Sequence, residues 1–311
     1  MNPLRRALGQ YLALRRALGF RLQRQGKALE GFVIFAERER ATTITSDLAL
    51  RWARLPKGVN PTTYADRLGN VRRFARYCFT LDPGTEIPPD GLIPHARHRR
   101  EPYIWTRKEV QALLASTRRI RSPLGLRALT YKTLFGLIAV AGLRINEALH
   151  LDNTDVDWTS GVLTIRNTKF GKTRHVPVHP STIAGLRRYV RKRDRVVPNC
   201  DPAPFFVTEH GTRLSESAVR DVFSRLRRIL PQRTRGNQRQ PRIHDLRHTF
   251  AVETLRRWYR AGRNVEASLP RLATYLGHAH VNDTYWYLSA VPDLMAAVAR
   301  RIEREAGRNV P

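Results

Sequence analysis

Residues suited to phosphodiester chemistry recur between positions 144 and 287, and they are two arginines, two histidines and a tyrosine. A guanidinium group bonds two phosphate oxygens at once and stays charged. An imidazole exchanges protons near neutral pH, and a tyrosine hydroxyl can attack phosphorus to form a covalent intermediate. Together these residue types predict a site that cleaves phosphodiester bonds. They are Arg144, His244, Arg247, His278 and Tyr287.

His244 and Arg247 lie three residues apart, which at the start of a helix puts both side chains on one face. The arginine would grip a phosphate while the histidine exchanges a proton. Taken alone, a His-x-x-Arg pair is more typical of an exposed, capped helix start. The pair indicates a phosphate site because Arg144, His278 and Tyr287 accompany it.

The short motifs around these residues resemble those of the tyrosine recombinase (phage integrase) family, in the same order. They are the segment 141–149, the His244-x-x-Arg247 box, Leu276-Gly277-His278 and Tyr287. The resemblance extends over about residues 100–305. It implies that Arg144 and Arg247 bind the phosphate. It further implies that His278 hydrogen-bonds the phosphate and that Tyr287 is the nucleophile.

The nucleophile has a neighbouring rival in Tyr285. Tyr287 follows His278 by nine residues, and this spacing matches the family pattern. The tyrosine in register is therefore Tyr287. We expect Tyr285 and Trp286 to be packing or core residues, because aromatic side chains in a helical stretch usually pack in the interior.

The resemblance also implies a lysine on a hairpin that protonates the departing 5′ oxygen. Lys169 matches this position, and Lys172 is the alternative in the same turn. Phe170 stands where related enzymes often have glycine. The alignment of the turn therefore leaves both lysines open, and Lys169 is preferred.

The implied reaction is covalent catalysis on DNA. Tyr287 would form a 3′-phosphotyrosyl link and release a 5′-hydroxyl, and a 5′-hydroxyl from another strand would reverse the step. The bond energy is conserved, so we expect no cofactor, no ATP and no divalent cation. The implied partners are double-stranded DNA, further copies of the chain in a tetramer on two DNA sites, and accessory recombinases or DNA-bending proteins. Apolar residues at helical spacing over 294–302 would dock on a neighbouring protomer or pack within their own chain.

The charge of the chain predicts a polyanionic partner. Lysine and arginine number 56 against 26 aspartates and glutamates, a net charge of +30 over 311 residues. Positive charges in such excess repel one another, and the negative charges of a bound nucleic acid usually balance them. Residues 1–95 carry 16 basic and 8 acidic residues, so both halves are basic and both are expected to contact DNA. From the charge alone, a ribosome-associated, architectural or membrane-surface protein is the alternative.

The chain is expected to work in the cytoplasm. Only Cys78 and Cys200 occur, which gives no disulfide framework. The sequence predicts neither a membrane span nor a signal peptide. His244, His278 and His280 have no carboxylate or cysteine at metal-ligand spacing, so we predict no metal site.

These residues need a scaffold, and the first 95 residues are expected to form a separate DNA-binding domain. Apolar residues at helical spacing predict four helices there, with an interruption near Gly19 and a helix cap at 45–47. Prolines and glycines concentrate between 82 and 102, which indicates a linker. We therefore expect a helical core-binding domain over 1–95 and a catalytic domain over 96–311.

The catalytic domain is expected to be mainly helical with a small β-sheet, an α+β fold. Thr106 and Glu109 match a capping box, and the apolar run 129–140 predicts a buried helix. The sequences at 162–165 and 175–178 predict a hairpin or a three-stranded sheet. Further helices are predicted over 182–193, 217–230, 245–260 and 271–276. The family resemblance implies that the two domains form a C-shaped clamp on DNA.

Two other activities fit the same residues. A type IB topoisomerase uses similar groups to relax supercoils with one protomer. A non-catalytic protein of this fold would bind DNA without forming a covalent adduct. Because every catalytic position is occupied by a suitable residue, the sequence favours a site-specific recombinase (integrase) of a mobile element, such as a transposon or an integrated phage.

Overall fold

The computed structural model describes residues 2–20, 22–94, 101–166, 173–198, 203–230 and 240–289. The chain divides into two compact units, Met1–Arg100 and Glu101–Pro311. Some predicted features lie outside the described residues: Lys169, Lys172 and the segment 294–302. The domain boundary at 95/96 and the clamp around DNA remain predictions.

The first unit consists of helices in its described part. They are α1 (Pro3–Ala17), α2 (Gln23–Arg38), α3 (Ser46–Arg54) and α4 (Pro61–Phe79). Three of them begin at a side-chain cap: Asn2, Thr45 and Asn60 each accept a hydrogen bond from a backbone N–H of the first turn. α1 ends before Gly19, whose φ of +85° lies in the left-handed region, as the sequence predicted. The four predicted helices are confirmed.

Large apolar side chains hold these helices together. Phe32, Trp52 and Phe74 are almost completely buried, and the rings of Phe32 and Trp52 meet edge to face with centroids 5.4 Å apart. Cys78 is buried in the same core, and burial raises the pKa of its thiol to about 12. The thiol is therefore protonated and unreactive near neutral pH.

In its described residues, the second unit is mainly helical, with two short 3₁₀ turns. Its helices are α5 (Arg107–Ser116), α6 (Leu126–Ala141), α7 (Ile145–Leu149), α8 (Pro180–Val196), α9 (Glu216–Arg228), α10 (Ile243–Arg260), α11 (Val265–Leu276) and α12 (Asn282–Ser289). The capping box at the start of α5 is confirmed: Thr106 accepts from the backbone of Glu109, and the Glu109 carboxylate accepts from the backbone of Thr106. The buried helix predicted before Arg144 is α6.

A three-stranded antiparallel sheet lies within this unit. Its strands are β1 (Val156–Asp157), β2 (Val162–Ile165) and β3 (Arg174–Pro177), hydrogen-bonded in that order. Leu163 pairs with Val176, and both side chains are buried on the face that joins the core. The mainly helical fold class with a small sheet is therefore confirmed, and the three-stranded form of the sheet is the correct alternative.

Two local predictions were wrong. α11 begins at Val265, six residues earlier than expected, because Asn264 caps the helix by accepting from the N–H of Ala267 and Pro270 is accommodated inside it. Tyr285, expected to pack in the interior, is 44% exposed. No helix in the described part of the chain is long and apolar enough to cross a membrane.

Candidate active site

Arg144 is held at the junction between α6 and α7. Gly142 caps the carboxyl end of α6; its φ is +62°, and a Cβ there would lie 2.5 Å from the ring of Phe250. Two residues later the backbone N–H of Arg144 donates to Oε2 of Glu147 at 2.9 Å, and its Nη1 donates to Oε1 at 2.7 Å. A glycine-dependent turn and a buried carboxylate therefore fix the position of this guanidinium group.

Arg247, in the second turn of α10, is 1% exposed. Its Nη1 donates to the carbonyl of Gly142 at 2.8 Å and its Nη2 to the carbonyl of Leu276 at 2.6 Å. These carbonyls lie at the ends of α6 and α11, where the helix dipole favours a cation. Burial, and then the charge of Arg144, lower the pKa of Arg247 to about 10, against the opposing effect of Glu147. The group stays charged at neutral pH.

Glu147 is the anion that joins the arginines. Arg174 donates from Nη1 to Oε1 at 3.0 Å and from Nη2 to Oε2 at 2.7 Å, and Nη1 of Arg247 lies 3.8 Å from Oε2. Burial raises the pKa of Glu147, but the hydrogen bonds and charge of Arg174, with those of Arg144 and Arg247, outweigh it and hold the pKa at about 2. One carboxylate cannot neutralise three guanidinium groups, which leaves positive charge for a phosphate.

The turn after α11 is fastened to the same arginines. Nη2 of Arg144 donates to the carbonyl of Gly277 at 2.9 Å, and Nε of Arg174 donates to the carbonyl of Tyr275 at 2.8 Å. Gly277 has φ +68°, and a Cβ there would lie 2.8 Å from Nη1 of Arg174. His278 follows directly, so its backbone position depends on the arginine cluster.

Tyr287 lies on α12 and is 1% exposed. Its hydroxyl is 2.9 Å from Nδ1 of His248, and its ring stacks on that of His278, with planes 22° apart and centroids 6.3 Å apart. Nδ1 of His278 is in turn 2.7 Å from the hydroxyl of Thr284. The phenol is thus held between two imidazole rings, one that bonds its hydroxyl and one that covers its face.

His244 lies one helical turn before His248, and the two rings meet edge to face with centroids 4.5 Å apart. The side chain of His244 is exposed, whereas Arg247, three residues on, is buried. Partial removal of the ring from water, followed by the charges of His248 and Arg247, lowers the pKa of His244. The imidazole is therefore neutral at pH 7 and a weaker base than a free histidine side chain.

The structure brings together the predicted residues that it describes through a continuous set of contacts. Arg247 donates to the carbonyl of Leu276, and Arg144 donates to the carbonyl of Gly277. His278 is the next residue, and its ring stacks on that of Tyr287. His244 joins through the ring of His248. The hairpin lysine, Lys169 or Lys172, lies outside the described residues.

No role was predicted from the sequence for Glu147 or Arg174, and only a supporting or structural role was predicted for His248. Glu147 follows Arg144 by three positions, which is the spacing of a helix capping box, so this contact could have been predicted from the sequence. His248 follows His244 by four positions on one helix, which puts the rings on one face. Arg174 had no such signal, because its partners Glu147 and Tyr275 are distant in sequence. Within the described residues, no group of three or more histidine, cysteine or acidic side chains is arranged to hold a metal ion.

Comparison with known proteins gives a consistent result. The model of the phage integrase family matches residues 104–292. A protein of Sinorhizobium fredii named "Putative integrase/recombinase y4rB" is 43% identical over 308 residues, which are 98% of each chain. Tyrosine recombinase XerC of Chlamydia caviae is 27% identical over 225 residues, 72% of this chain and 66% of that one.

Solved structures share the fold. The Tn1549 transposon integrase in complex with transposon right end DNA matches with a TM-score of 0.68 and 17% identity, covering 97% of this chain and 100% of that one. The XerH site-specific recombinase in its post-cleavage complex with difH substrate matches with a TM-score of 0.59 and 18% identity, covering 84% and 73%.

Proposed function

This chain belongs to the phage integrase family and is a tyrosine-type site-specific recombinase, and we propose that the hydroxyl of Tyr287 is the nucleophile with which it opens DNA. The cleaved strand is held as a 3′-phosphotyrosyl intermediate and then rejoined to a new 5′ end. Arg144 and Arg247 bind the attacked phosphate, and His244 and His278 complete the set of polar groups around it.

One observation carries this assignment. The two arginines bond the carbonyls of Leu276 and Gly277, and the chain runs from there through His278 to Tyr287. Arg144 is therefore fixed to a segment 133 positions away, and that segment leads to Tyr287. Cations that are already oriented where negative charge develops lower the barrier without reorganisation during the reaction.

The reaction step follows from these groups. The Tyr287 oxygen forms a bond to phosphorus, and negative charge grows on the nonbridging oxygens that face Arg144 and Arg247. The bond from phosphorus to the 5′ oxygen breaks, and this oxygen takes a proton from the hairpin lysine, for which we propose Lys169. Because a phosphodiester replaces a phosphodiester, the reverse attack by a 5′-hydroxyl rejoins DNA without ATP.

We assign the recombinase to a mobile element and propose that four protomers act on two duplexes. The relative named as an integrase/recombinase, alike over 98% of its length, supports recombination over topoisomerase-like relaxation. The transposon integrase and XerH structures, each a complex with DNA, support a double-stranded DNA partner. The excess of positive charge in both halves agrees with many phosphate contacts.

The test compares two tyrosines that lie two residues apart. Protein is incubated with DNA from the ends of its own genetic element, in EDTA and without ATP, and a denaturing gel is examined for a protein–DNA adduct. We expect the adduct with wild type and Tyr285→Phe and none with Tyr287→Phe. Loss with Tyr285→Phe alone would move the nucleophile to that residue. An adduct in both variants would refute a tyrosine at either position.

A further inference from the structure

A histidine other than those of the family motif positions bonds the Tyr287 hydroxyl. We propose that His248 accepts the proton of Tyr287 when that hydroxyl attacks DNA, and so is a further catalytic residue of the recombinase. This inference rests on the proposed role of Tyr287 as nucleophile. It gives His244, the histidine of the His-x-x-Arg box, a role other than deprotonating the tyrosine.

The geometry of the contact supports proton transfer. Nδ1 of His248 and the Tyr287 hydroxyl are 2.9 Å apart, the separation expected between a general base and the proton that it takes. In the tautomer with the proton on Nε2, the hydroxyl donates and Nδ1 accepts. His248 is 8% exposed, and the ring of Trp286 lies 5.6 Å from its own. The imidazole is therefore fixed relative to the phenol.

The position of His248 on α10 links it to the phosphate site. Arg247, which we propose binds the phosphate, is the preceding residue, so one rigid helix carries both groups. In the described part of the chain, the titratable groups in ring contact with His248 include His244 on its own helix and Tyr287 on α12. On α10, Asp245 lies three positions and Arg247 one position before His248. The side chain of His244 is exposed.

The step balances in both directions. On cleavage the bond from the Tyr287 oxygen to phosphorus forms, the bond to the 5′ oxygen breaks, and the phenolic proton moves to Nδ1 of His248. The 5′ oxygen receives its proton from the protonated hairpin lysine. On rejoining, a 5′-hydroxyl gives its proton back to that lysine, and the imidazolium of His248 returns a proton to the departing phenolate. A full cycle leaves both groups as they began.

Because Tyr287 is buried, its bond to His248 has a possible alternative role, which is to restrain the nucleophile. Tyr287 is 1% exposed, so the phosphate reaches the hydroxyl only after covering groups have moved. A bond to His248 that had to break at that point would hold the nucleophile back. If His248 accepts the proton, removal of its imidazole slows cleavage. If His248 restrains Tyr287, the same change speeds cleavage.

The experiment measures the rate of covalent adduct formation at saturating DNA. His248→Asn keeps a hydrogen-bond acceptor near Nδ1 but removes the basic nitrogen. We expect it to slow the step by roughly 100-fold, as general-base catalysis typically requires, and to leave the DNA concentration for half-saturation unchanged. The wild-type rate should rise with pH as an imidazole loses its proton, and this rise should be absent from His248→Asn.

A second measurement separates chemistry from folding. Fluorotyrosine at position 287 has a more acidic phenol, so it should recover most of the rate lost in His248→Asn. His280→Asn, which changes an exposed histidine, is the matched control and should keep the wild-type rate. Equal melting temperatures would establish that the variants fold.

The outcomes are distinguishable. A wild-type or faster rate in His248→Asn overturns the inference, and so does a slower rate that fluorotyrosine leaves unchanged. If Tyr287→Phe still forms the adduct, the proposed function itself fails. If Tyr287→Phe loses the adduct and His248→Asn behaves as wild type, only the role of His248 is refuted.

Discussion

Arginine is used in two different ways on the surface of the first unit and at the candidate site of the second unit. In the first unit Arg5 and Arg51 have side chains 49% exposed and pair with surface carboxylates such as Glu37. In the second unit Arg247 is 1% exposed and Arg174 is 10% exposed, and both donate to backbone carbonyls of other elements as well as contacting Glu147. The residue type is the same, but the acceptors and the solvent exposure differ.

This difference separates general charge from chemistry. Exposed pairs contribute little to stability because water and salt screen them. A buried guanidinium loses its hydration, and the lost free energy is regained only when every donor direction finds an acceptor. The second unit therefore holds cations that are desolvated and oriented before DNA arrives. Net charge indicates a nucleic-acid partner, but burial with fixed acceptors distinguishes the arginines that we propose act on it.

The largest effect is expected from Arg247→Lys. An ammonium group cannot bond the carbonyls of Gly142 and Leu276 and still present a second donor edge to a phosphate. We expect the rate of adduct formation to fall by roughly 1,000-fold, in line with removal of an oriented transition-state donor. Arg5→Lys in the first unit is the control and should leave the rate unchanged. Similar rates for both variants would mean that charge alone accounts for the contribution of Arg247.

An intermediate effect is expected from Glu147→Gln, measured as the free energy of unfolding against pH. The pKa of Glu147 falls from 4.5 to about 2 on folding, so the ionised carboxylate stabilises the native state. Its contribution, on the order of 3 kcal/mol, is present above pH 4.5 and is lost as the pH falls to about 2. The advantage of wild type over Glu147→Gln should shrink through this window. A difference that is independent of pH would show that the charge is not the cause.

The smallest effect is expected from Gly277→Ala, for which Gly262→Ala is a matched control. Both glycines have a positive φ, +68° and +65°, so each alanine should cost about 1 kcal/mol of stability. Only at Gly277 would the new Cβ meet Arg174, at 2.8 Å, whereas nothing lies within 4 Å at Gly262. Because Arg174 is held by Glu147 and the carbonyl of Tyr275, we expect Gly277→Ala alone to show a further loss of melting temperature and slower adduct formation. Equal cleavage rates would mean that the contact with Arg174 does not matter to the site.

The sequence predicted what depends on near neighbours. The capping box at Thr106 and Glu109 involves residues three apart, and the β2–β3 pairing follows from alternation within each strand. Pro270 misled the prediction of α11, because a proline usually marks a helix end and the cap at Asn264 lies upstream of it.

The contacts that complete the site were beyond local reasoning. Arg144 and Gly277 are 133 positions apart, and Arg174 and Tyr275 are 101 apart. Only the folded chain determines which carbonyl an arginine meets. The family pattern supplied the residues that we propose act on DNA. It did not supply the carboxylate and the histidine that contact two of them, Glu147 and His248.

The partners of Arg247 also decide how this site responds to genetic variation. Its acceptors are peptide carbonyls of Gly142 and Leu276, which every amino acid carries. A saturation screen would report Arg247 as intolerant of substitution. Substitutions of Leu276 would keep the carbonyl that accepts from Arg247, so their effects would come from the packing of this fully buried side chain. The bond becomes visible only when the backbone is edited. An ester in place of the amide between Leu276 and Gly277 would weaken the acceptor and leave every side chain intact.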